Sequence, residues 1–585
     1  METAVFTVLS FIGGLCLFLF GMNLMGDYLE KCAGSGLKTL LGKLTTGRIA
    51  GFLTGLAVTA VIQSSSATTV MVVGFVNSGL MSLKQAINVI LGANVGTTVT
   101  AWILSLTGIE GDSFWVKMLK PSSFTPILAL VGVVLYVFSK SSKKKDIGVV
   151  LLGFSVLMFG MESMSDAVSV LEGNEKFISI LTMFENPLLG VLVGAAFTAI
   201  IQSSSASVGI LQSLASTGAI SVGMSVPIIM GQNIGTCVTA LLSSIGTTRN
   251  ARRASLVHLF FNLIGTLVIL VLFCIVKYAF PMEIFAENAS QFTIAVCHTS
   301  FNVVCTALML PVAGLLEKLS LKLIPEKEDS SKEKTALLDS RLMTTPAIAI
   351  ERSRVVTEEM AKISAEALYL SLESLSNYTE ELAHDVRKKE KAADKYEDIL
   401  GSYLVTLNTH PLNEKDSNES AMLLHLIGDF ERISDHAVGI LSAVEELKEK
   451  EITFSDSALK ELSVMENAVK EIMEKTMEVF SREDVELALQ IEPLEEIIDD
   501  LKETLRSNHI SRMQKGECSI EAGFVWSDLL NDLERVSDHC SNIAGCIIEM
   551  KRQSMDVHNY LKKFRADNGK FAELYESYVK KYSLE

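Results

Sequence analysis

Gln63-Ser64-Ser65-Ser66-Ala67 returns unchanged as Gln202-Ser203-Ser204-Ser205-Ala206, 139 residues later. The same offset lays Gly92-Ala93-Asn94-Val95-Gly96-Thr97 over Gly231-Gln232-Asn233-Ile234-Gly235-Thr236. It also lays Gly14, Phe20, Gly21 and Asp27 over Gly153, Phe159, Gly160 and Asp166. Residues 51–101 and 190–240 share 22 identities in 51 positions without a gap. Apolar composition could align Leu with Val by chance, but not Gln-Ser-Ser-Ser. The first half of the chain is an internal duplication.

Around these strings lie apolar runs at 4–29, 50–82, 84–108, 123–140, 147–165, 188–220, 222–247, 254–281 and 290–324. A spanning helix needs about 20 apolar residues. Runs 50–82 and 188–220 are too long and carry Gly and Ser at their middles. A polar break at membrane depth is tolerated only where protein or a cavity surrounds it. Both runs are therefore expected to be re-entrant hairpins.

Loop charge orients the copies, because Lys and Arg mark the cytoplasmic side. Segment 30–50 carries Lys31, Lys38, Lys43 and Arg48, whereas its counterpart 167–189 is acidic apart from Lys176. Loop 140–146 has four Lys, and its counterpart near 279–289 has Glu283 and Glu287. Arg249, Arg252 and Arg253 face a mixed loop in the first copy. The sign flips at every comparison, so the copies, about 4–142 and 143–281, are expected upside down relative to each other. With the N-terminus outside, every basic loop falls inside. The final span 290–324 then delivers the rest of the chain to the cytoplasm. Inverted repeats with broken elements at the midplane are the architecture of secondary transporters.

The repeated strings suit a small hydrated solute. Hydroxyls and amides both donate and accept, helix N-termini suit an anion, and carbonyl ends of broken helices suit a cation. Gln63, Ser64, Ser65, Ser66, Asn94 and Thr97 offer this in one copy; Gln202, Ser203, Ser204, Ser205, Asn233 and Thr236 offer it in the other. Charged residues are nearly absent from these runs, so a bound anion would be held by neutral donors with a cation beside it. Close helix packing through small residues is the bland alternative, but it does not call for Gln in both copies. No Gly-x-Ser-x-Gly elbow exists, and Gly42-Lys43-Leu44-Thr45 lacks the rest of a phosphate loop, so neither a serine enzyme nor an ATP-driven pump is indicated. His258…Asn262 and His298…Asn302 repeat a His-x-x-x-Asn string on one helix face. Its expected use is hydrogen bonding between helices, with a proton or substrate role as the alternative.

The paired Gln-Ser-Ser-Ser strings resemble those of the type II sodium/phosphate cotransporter family, over roughly residues 1–320. The resemblance implies inorganic phosphate as solute, Na+ as coupling ion, and the two strings as the substrate and sodium site. It does not imply a direction. Another oxyanion, such as arsenate or sulfate, fits the same donors.

Composition changes sharply after Pro325. Residues 1–325 hold 18 Lys/Arg and 14 Asp/Glu; the rest hold 33 and 54, a net charge of −21. Such an acidic tail excludes nucleic acid as a partner, since phosphate-backbone binding wants basic excess. The nine Cys form no CxxC pair, so no disulfide framework or zinc site is indicated. No cleavable leader is read at the N-terminus. A charged linker is expected over 326–345, then helices to the end, about six in two three-helix units.

The tail is duplicated as well. Asp429-Phe430-Glu431-Arg432-Ile433-Ser434-Asp435-His436 precedes Asp532-Leu533-Glu534-Arg535-Val536-Ser537-Asp538-His539 by 103 residues. Glu431 and Asp435 share a helix face, as do Glu534 and Asp538. Glu390/Asp394 and Glu495/Asp499 are candidate facing pairs, and carboxylates so placed can hold divalent or ferric ions. A salt-bridge network with Arg432 and Arg535 is the alternative. These strings resemble the repeated Glu/Asp-x-x-x-Asp motif of PhoU, a helical regulator of phosphate uptake, over roughly 345–580. That resemblance implies metal binding through Glu431, Asp435, Glu534 and Asp538, and a regulatory role.

The chain is thus expected to be all-α and not an enzyme: a polytopic protein of the plasma (cell inner) membrane with a cytoplasmic PhoU-like domain over 346–585. Its expected partners are phosphate, the lipid bilayer, a second copy of the chain, and phosphate-signalling proteins reached through the tail. A membrane-anchored phosphate or metal sensor is the non-transporting alternative.

Overall fold

A computed structural model describes residues 2–43, 47–109, 113–114, 118, 120–170, 183–280, 282–325, 338–410, 412–552 and 569–584. Among the described residues the chain is helical, and its one β feature is an isolated bridge between Ser221 and Asn288. It divides into two units, one essentially 1–348 and the other 349–585.

The first unit holds α1 (Glu2–Lys43), α2 (Arg48–Ile62), α3 (Ser65–Asn77), α4 (Leu83–Gly96), α5 (Thr98–Ser105) and α6 (Pro121–Phe138). The second copy follows with α7 (Ser142–Ser169), α8 (Pro187–Ile201), α9 (Ser204–Ala215), α10 (Val222–Gly235), α11 (Cys237–Ser243) and α12 (Arg249–Ala279). Then come α13 (Gln291–Met309) and α14 (Ala313–Leu323). Seven stretches among the described residues are long and apolar enough to cross a membrane. Their outward faces carry Leu130, Val134, Leu267, Val271 and Ile275, all exposed. An apolar exterior of this extent belongs in lipid, and the chain is a multi-pass membrane protein.

Contacts between the copies show how they are related. A Cβ on Gly14 would meet the Gly160 carbonyl, and one on Gly153 would meet the Gly21 carbonyl and Met25. Residues 14 and 21 of one copy thus contact the counterparts of 21 and 14 in the other. Such an exchange is the mark of a twofold axis. The helices α1 and α7 run antiparallel, so that axis lies across them, as inverted repeats require. Within each copy the packing recurs to the residue. Gly55 approaches the Val89 carbonyl as Gly194 approaches that of Ile228, and Gly92 meets Phe52 as Gly231 meets Val191. Only Gly permits backbones this close.

Three expectations need correction. The segment 30–50 is not simply a loop: α1 continues to Lys43. The run 290–324 is not one span: it is interrupted at residues 310–312, where Pro311 cannot continue the ladder. The last part of the expected linker, 339–345, is folded onto the first unit. Residues 326–337 lie outside the described residues.

The second unit contains α15 (Pro346–Ser374), α16 (Glu380–Leu407), α17 (Glu414–Glu449), α18 (Asp456–Arg482), the short α19 (Val485–Ala488), α20 (Ile491–Gln514), α21 (Ile520–Arg552) and α22 (Gly569–Lys581). The expected two sets of three helices are present, with α19 and α22 in addition. Here too partners are exchanged between copies. His436 Nδ1 meets Asp532 Oδ1 at 2.9 Å, and His539 Nδ1 meets Asp429 Oδ1 at 2.9 Å. The two imidazoles stack at 5.6 Å.

Candidate solute-binding site

Each long run breaks at its Gln. Gln63 has φ 62° and Gln202 φ 59°, the left-handed region that a non-Gly residue seldom occupies. The next residue restarts the helix: Ser64 accepts from Ala67 N at 3.2 Å, and Ser203 from Ala206 N at 3.2 Å. A serine cap satisfies one of the free N–H groups of the first turn. Thr59 Oγ1 donates to Thr68 Oγ1 at 3.0 Å, and Thr198 Oγ1 to Ser207 Oγ at 2.8 Å. Nine residues of unbroken helix would hold these pairs about 13 Å apart. The chain therefore doubles back at each Gln, and α2–α3 and α8–α9 are hairpins.

The hairpin tips place the serines at the starts of α3 and α9. Ser65, Ser204 and Ser205 are buried, and Ser64, Ser66 and Ser203 are half-buried. Gln63 is buried, and its Oε1 accepts from Thr100 Oγ1 at 2.9 Å. Gln202 is exposed. The helices α4 and α10 end at Thr97 and Thr236, beyond which α5 and α11 begin. Asn94 and Asn233 each tie Nδ2 back to their own helix, to Ile90 O and Ile229 O at 2.9 Å. That leaves the Asn94 Oδ1 to face His258 Nε2 at 3.3 Å and Asn262 Nδ2 at 3.4 Å.

A further bond between the copies links the two repeated strings themselves. Ser66 Oγ lies 3.2 Å from Thr236 Oγ1. The first serine string and the second Gly-x-Asn-x-Gly-Thr string thus meet, although 170 residues separate the two side chains. The counterpart Thr97 instead donates to Ala93 O at 3.0 Å. Apart from Arg48 at the start of α2 and Lys84 in α4, the hairpins, α4, α5, α10 and α11 carry no Lys, Arg, Asp or Glu. The site is polar and uncharged, as the sequence indicates. Thr59, Thr68, Thr100, Thr198 and Ser207 were not singled out by the motifs. The 139-residue offset of Thr59 to Thr198 was the signal available for them.

In the tail the two carboxylate groups differ. Glu390 is pushed up by partial burial and by Asp435 and Asp394. Glu431 is pushed up to about 7, first by burial, then by Asp435 and Glu397. These carboxylates of α16 and α17 therefore lie near enough to feel one another's charge. In the second copy Lys502 Nζ is 3.1 Å from Glu534, and Arg535 is 3.2 Å from Asp538. The salt-bridge alternative holds there. Lys502 lies three residues past Asp499 and Glu397 three past Asp394, so a cation replaces a carboxylate at the equivalent position. Among the described residues no three His, Cys, Asp or Glu stand together as a metal-holding group.

The Na+/Pi-cotransporter family profile matches residues 17–166 and 157–294, and the PhoU domain profile matches 357–444 and 462–547. The chain is 26% identical over 569 residues to a Salmonella typhimurium protein named "Putative inorganic phosphate export protein YjbB", covering 95% of this chain and 100% of that one. It is 31% identical to uncharacterized protein YqeW of Bacillus subtilis, over 55% of this chain and 99% of the relative. Over 131 residues it is 37% identical to human sodium-dependent phosphate transport protein 2B, which is 21% of this chain and 19% of that protein.

Proposed function

Because the chain belongs to the Na+/Pi-cotransporter family and carries two PhoU segments behind it, we propose that it moves inorganic phosphate by secondary transport through a site between its two hairpins. The observation that carries this reading is the Ser66–Thr236 bond, which joins the repeated strings of opposite copies. The free N–H groups at the starts of α3 and α9, with Ser64 to Ser66 and Ser203 to Ser205, would hold phosphate oxygens. Gln63, Gln202, Asn94, Thr97, Asn233 and Thr236 supply neutral oxygens for Na+, the coupling ion of this reading. Alternating access then comes from one hairpin loosening while the other closes, as an inverted pair permits.

The tail regulates. It lies in the cytoplasm of a cell whose plasma membrane holds the first unit, and it reports phosphate state to signalling proteins. Glu390, Asp394, Glu431 and Asp435 would take a divalent or ferric cation there. Glu534 and Asp538 already hold Lys502 and Arg535, so their group, with Glu495 and Asp499, fits a metal less well. Outward transport has its own support, since the relative matched over 95% of this chain is named for phosphate export.

The experiment is ³²P-phosphate flux in proteoliposomes, measured inward and outward, with and without a Na+ gradient. Flux that ignores Na+ removes the coupling, and absence of flux in both directions removes the transporter.

A further inference from the structure

The His-x-x-x-Asn string of α13 is not used by the site as described. His298, Asn302 and Thr306 recur every four residues, so they stack along one face of α13. Their exposures are 1%, 0% and 4%. Both ring nitrogens of His298, Oδ1 of Asn302 and Oγ1 of Thr306 have no hydrogen-bond partner among the described residues. The Asn302 amide nitrogen donates back to His298 O at 2.9 Å, so its oxygen is the free end. Buried polar atoms are normally paired, and four orphans on one helix face in the protein interior ask for a ligand. The twin string is only partly orphaned: His258 Nε2 and Asn262 Nδ2 reach Asn94, while His258 Nδ1 and Asn262 Oδ1 are without a partner among the described residues.

The surroundings limit what that ligand is. The helix α13 packs against α4, α5, α9, α10 and α12. The same face carries Ala295, which shares a core with Ala101 and Ile229, and Cys305, whose Sγ stands 2.6 Å from where a Cβ on Gly265 would be. Ile229 is one turn before Asn233, so the face lies beside the second Gly-x-Asn-x-Gly-Thr string. No Asp or Glu occurs on these six helices. Their basic residues, Lys84, Arg249, Arg252, Arg253 and Lys277, sit in terminal turns. Cys274, Cys297, Cys305 and Tyr278 gain no positive charge. Between the ends of this wall, only His258 and His298 can become cations.

We propose that His298 is a proton-binding site linked to the oxyanion site. Neutral imidazole takes one proton from solvent hydronium, giving imidazolium and a water molecule. That cation offsets the charge of the bound oxyanion, while Asn302 Oδ1, one turn on, accepts from the ring or from a hydrating water, and Thr306 Oγ1, two turns on, accepts from water. This rests on the transporter reading above. By linkage, phosphate then binds more tightly when His298 is protonated, and phosphate raises its proton occupancy in return.

The test is equilibrium ³²P-phosphate binding to the full chain in nanodiscs at pH 6 and pH 8 with saturating Na+, comparing wild type with His298→Gln. Phosphate's own ionisation is common to both proteins and cancels in their affinity ratio. The wild-type advantage should grow about tenfold from pH 8 to pH 6, within the usual range of coupling between sites. A ratio equal at both pH values, with phosphate bound, overturns this inference alone. A wild type that binds no phosphate overturns the transporter reading with it. Should His298→Gln not fold, ¹⁵N-histidine spectra of the wild type, with His298→Asn for assignment, provide the second readout. The His298 ring should pass from neutral to charged on phosphate addition at pH 6, and a ring that stays neutral refutes the inference.

Discussion

Asn77→Ala should free residues 339–345 from the first unit without unfolding it. Asn77 ends α3, the half-helix whose other end carries the serines. Its Nδ2 donates to Asp339 Oδ2 at 2.8 Å, and its Oδ1 accepts from Thr248 N at 2.8 Å. Asp339 is buried and turns the chain into a short helical segment, Ser340–Thr344. Arg341 then donates to Ser243 O and, at 3.0 Å, to Ile245 O past the end of α11. Leu342 packs on Gly74, and Thr345 reaches Met71 Sδ at 3.0 Å. The chain enters α15 at Pro346, directly after this strap. Removing the amide loses a charge-assisted bond worth about 1.5–3 kcal/mol and orphans the Thr248 N–H at about 1–3 kcal/mol. A loss of about 3 kcal/mol is roughly 100-fold in an opening equilibrium. Hydrogen exchange in nanodiscs should therefore speed up about 100-fold for amides 340–348 and stay unchanged in α1 and α7. Protection altered by less than about threefold would refute the reasoning, because it would mean that the buried amide–carboxylate pair does not hold the strap.

Other perturbations test other parts. Ser66→Ala and Thr236→Val should each cut phosphate flux, and the double variant should lose little more than either alone, since both remove one bond; additive losses would mean the residues act separately. Gly92→Ala forces a Cβ into the Phe52 carbonyl and should destabilise the first unit as an overpacked core does, by about 1–3 kcal/mol, read as a lower thermal midpoint; an unchanged midpoint would deny the close approach. Glu431 titrates at about 7 in the fold against 4.5 in its absence. Its raised value favours the protonated carboxyl, so the stabilisation is complete below about pH 4.5 and is lost as pH rises through about 7. The full chain's tail-unfolding midpoint should fall over that window, and Glu431→Gln should flatten the fall. Much of the group is solvent-screened, so the effect is small; a midpoint that rises with pH in both proteins would contradict the sign.

The duplication, the hairpins and their inversion were legible because each depends on residues that local chemistry demands. A break inside an apolar run needs polar side chains to serve the freed backbone and a capping hydroxyl to restart the helix, and Gln-Ser supplies both at 63–64 and 202–203. Close backbones need Gly, and the 139-residue offset repeats Gly55 and Gly92. Loop charge carried the orientation because basic residues cross a membrane poorly. The interruption of 290–324 was less visible, since Pro311 sits among apolar residues that hide the end of α13.

The sequence by itself determined that two equivalent polar breaks exist, that they are inverted, and that the tail carries paired carboxylate strings. These follow from periodicity and from which residue types a break, a cap or a span tolerates. Tertiary structure alone decided which members meet: Ser66 with Thr236, Asp339 with Asn77, Lys502 with Glu534, and, among the described residues, no partner for the ring nitrogens of His298. A side chain's partner is set by where the packed helices bring another one, often more than 100 residues away. Nothing in the local pattern of either residue records that distance.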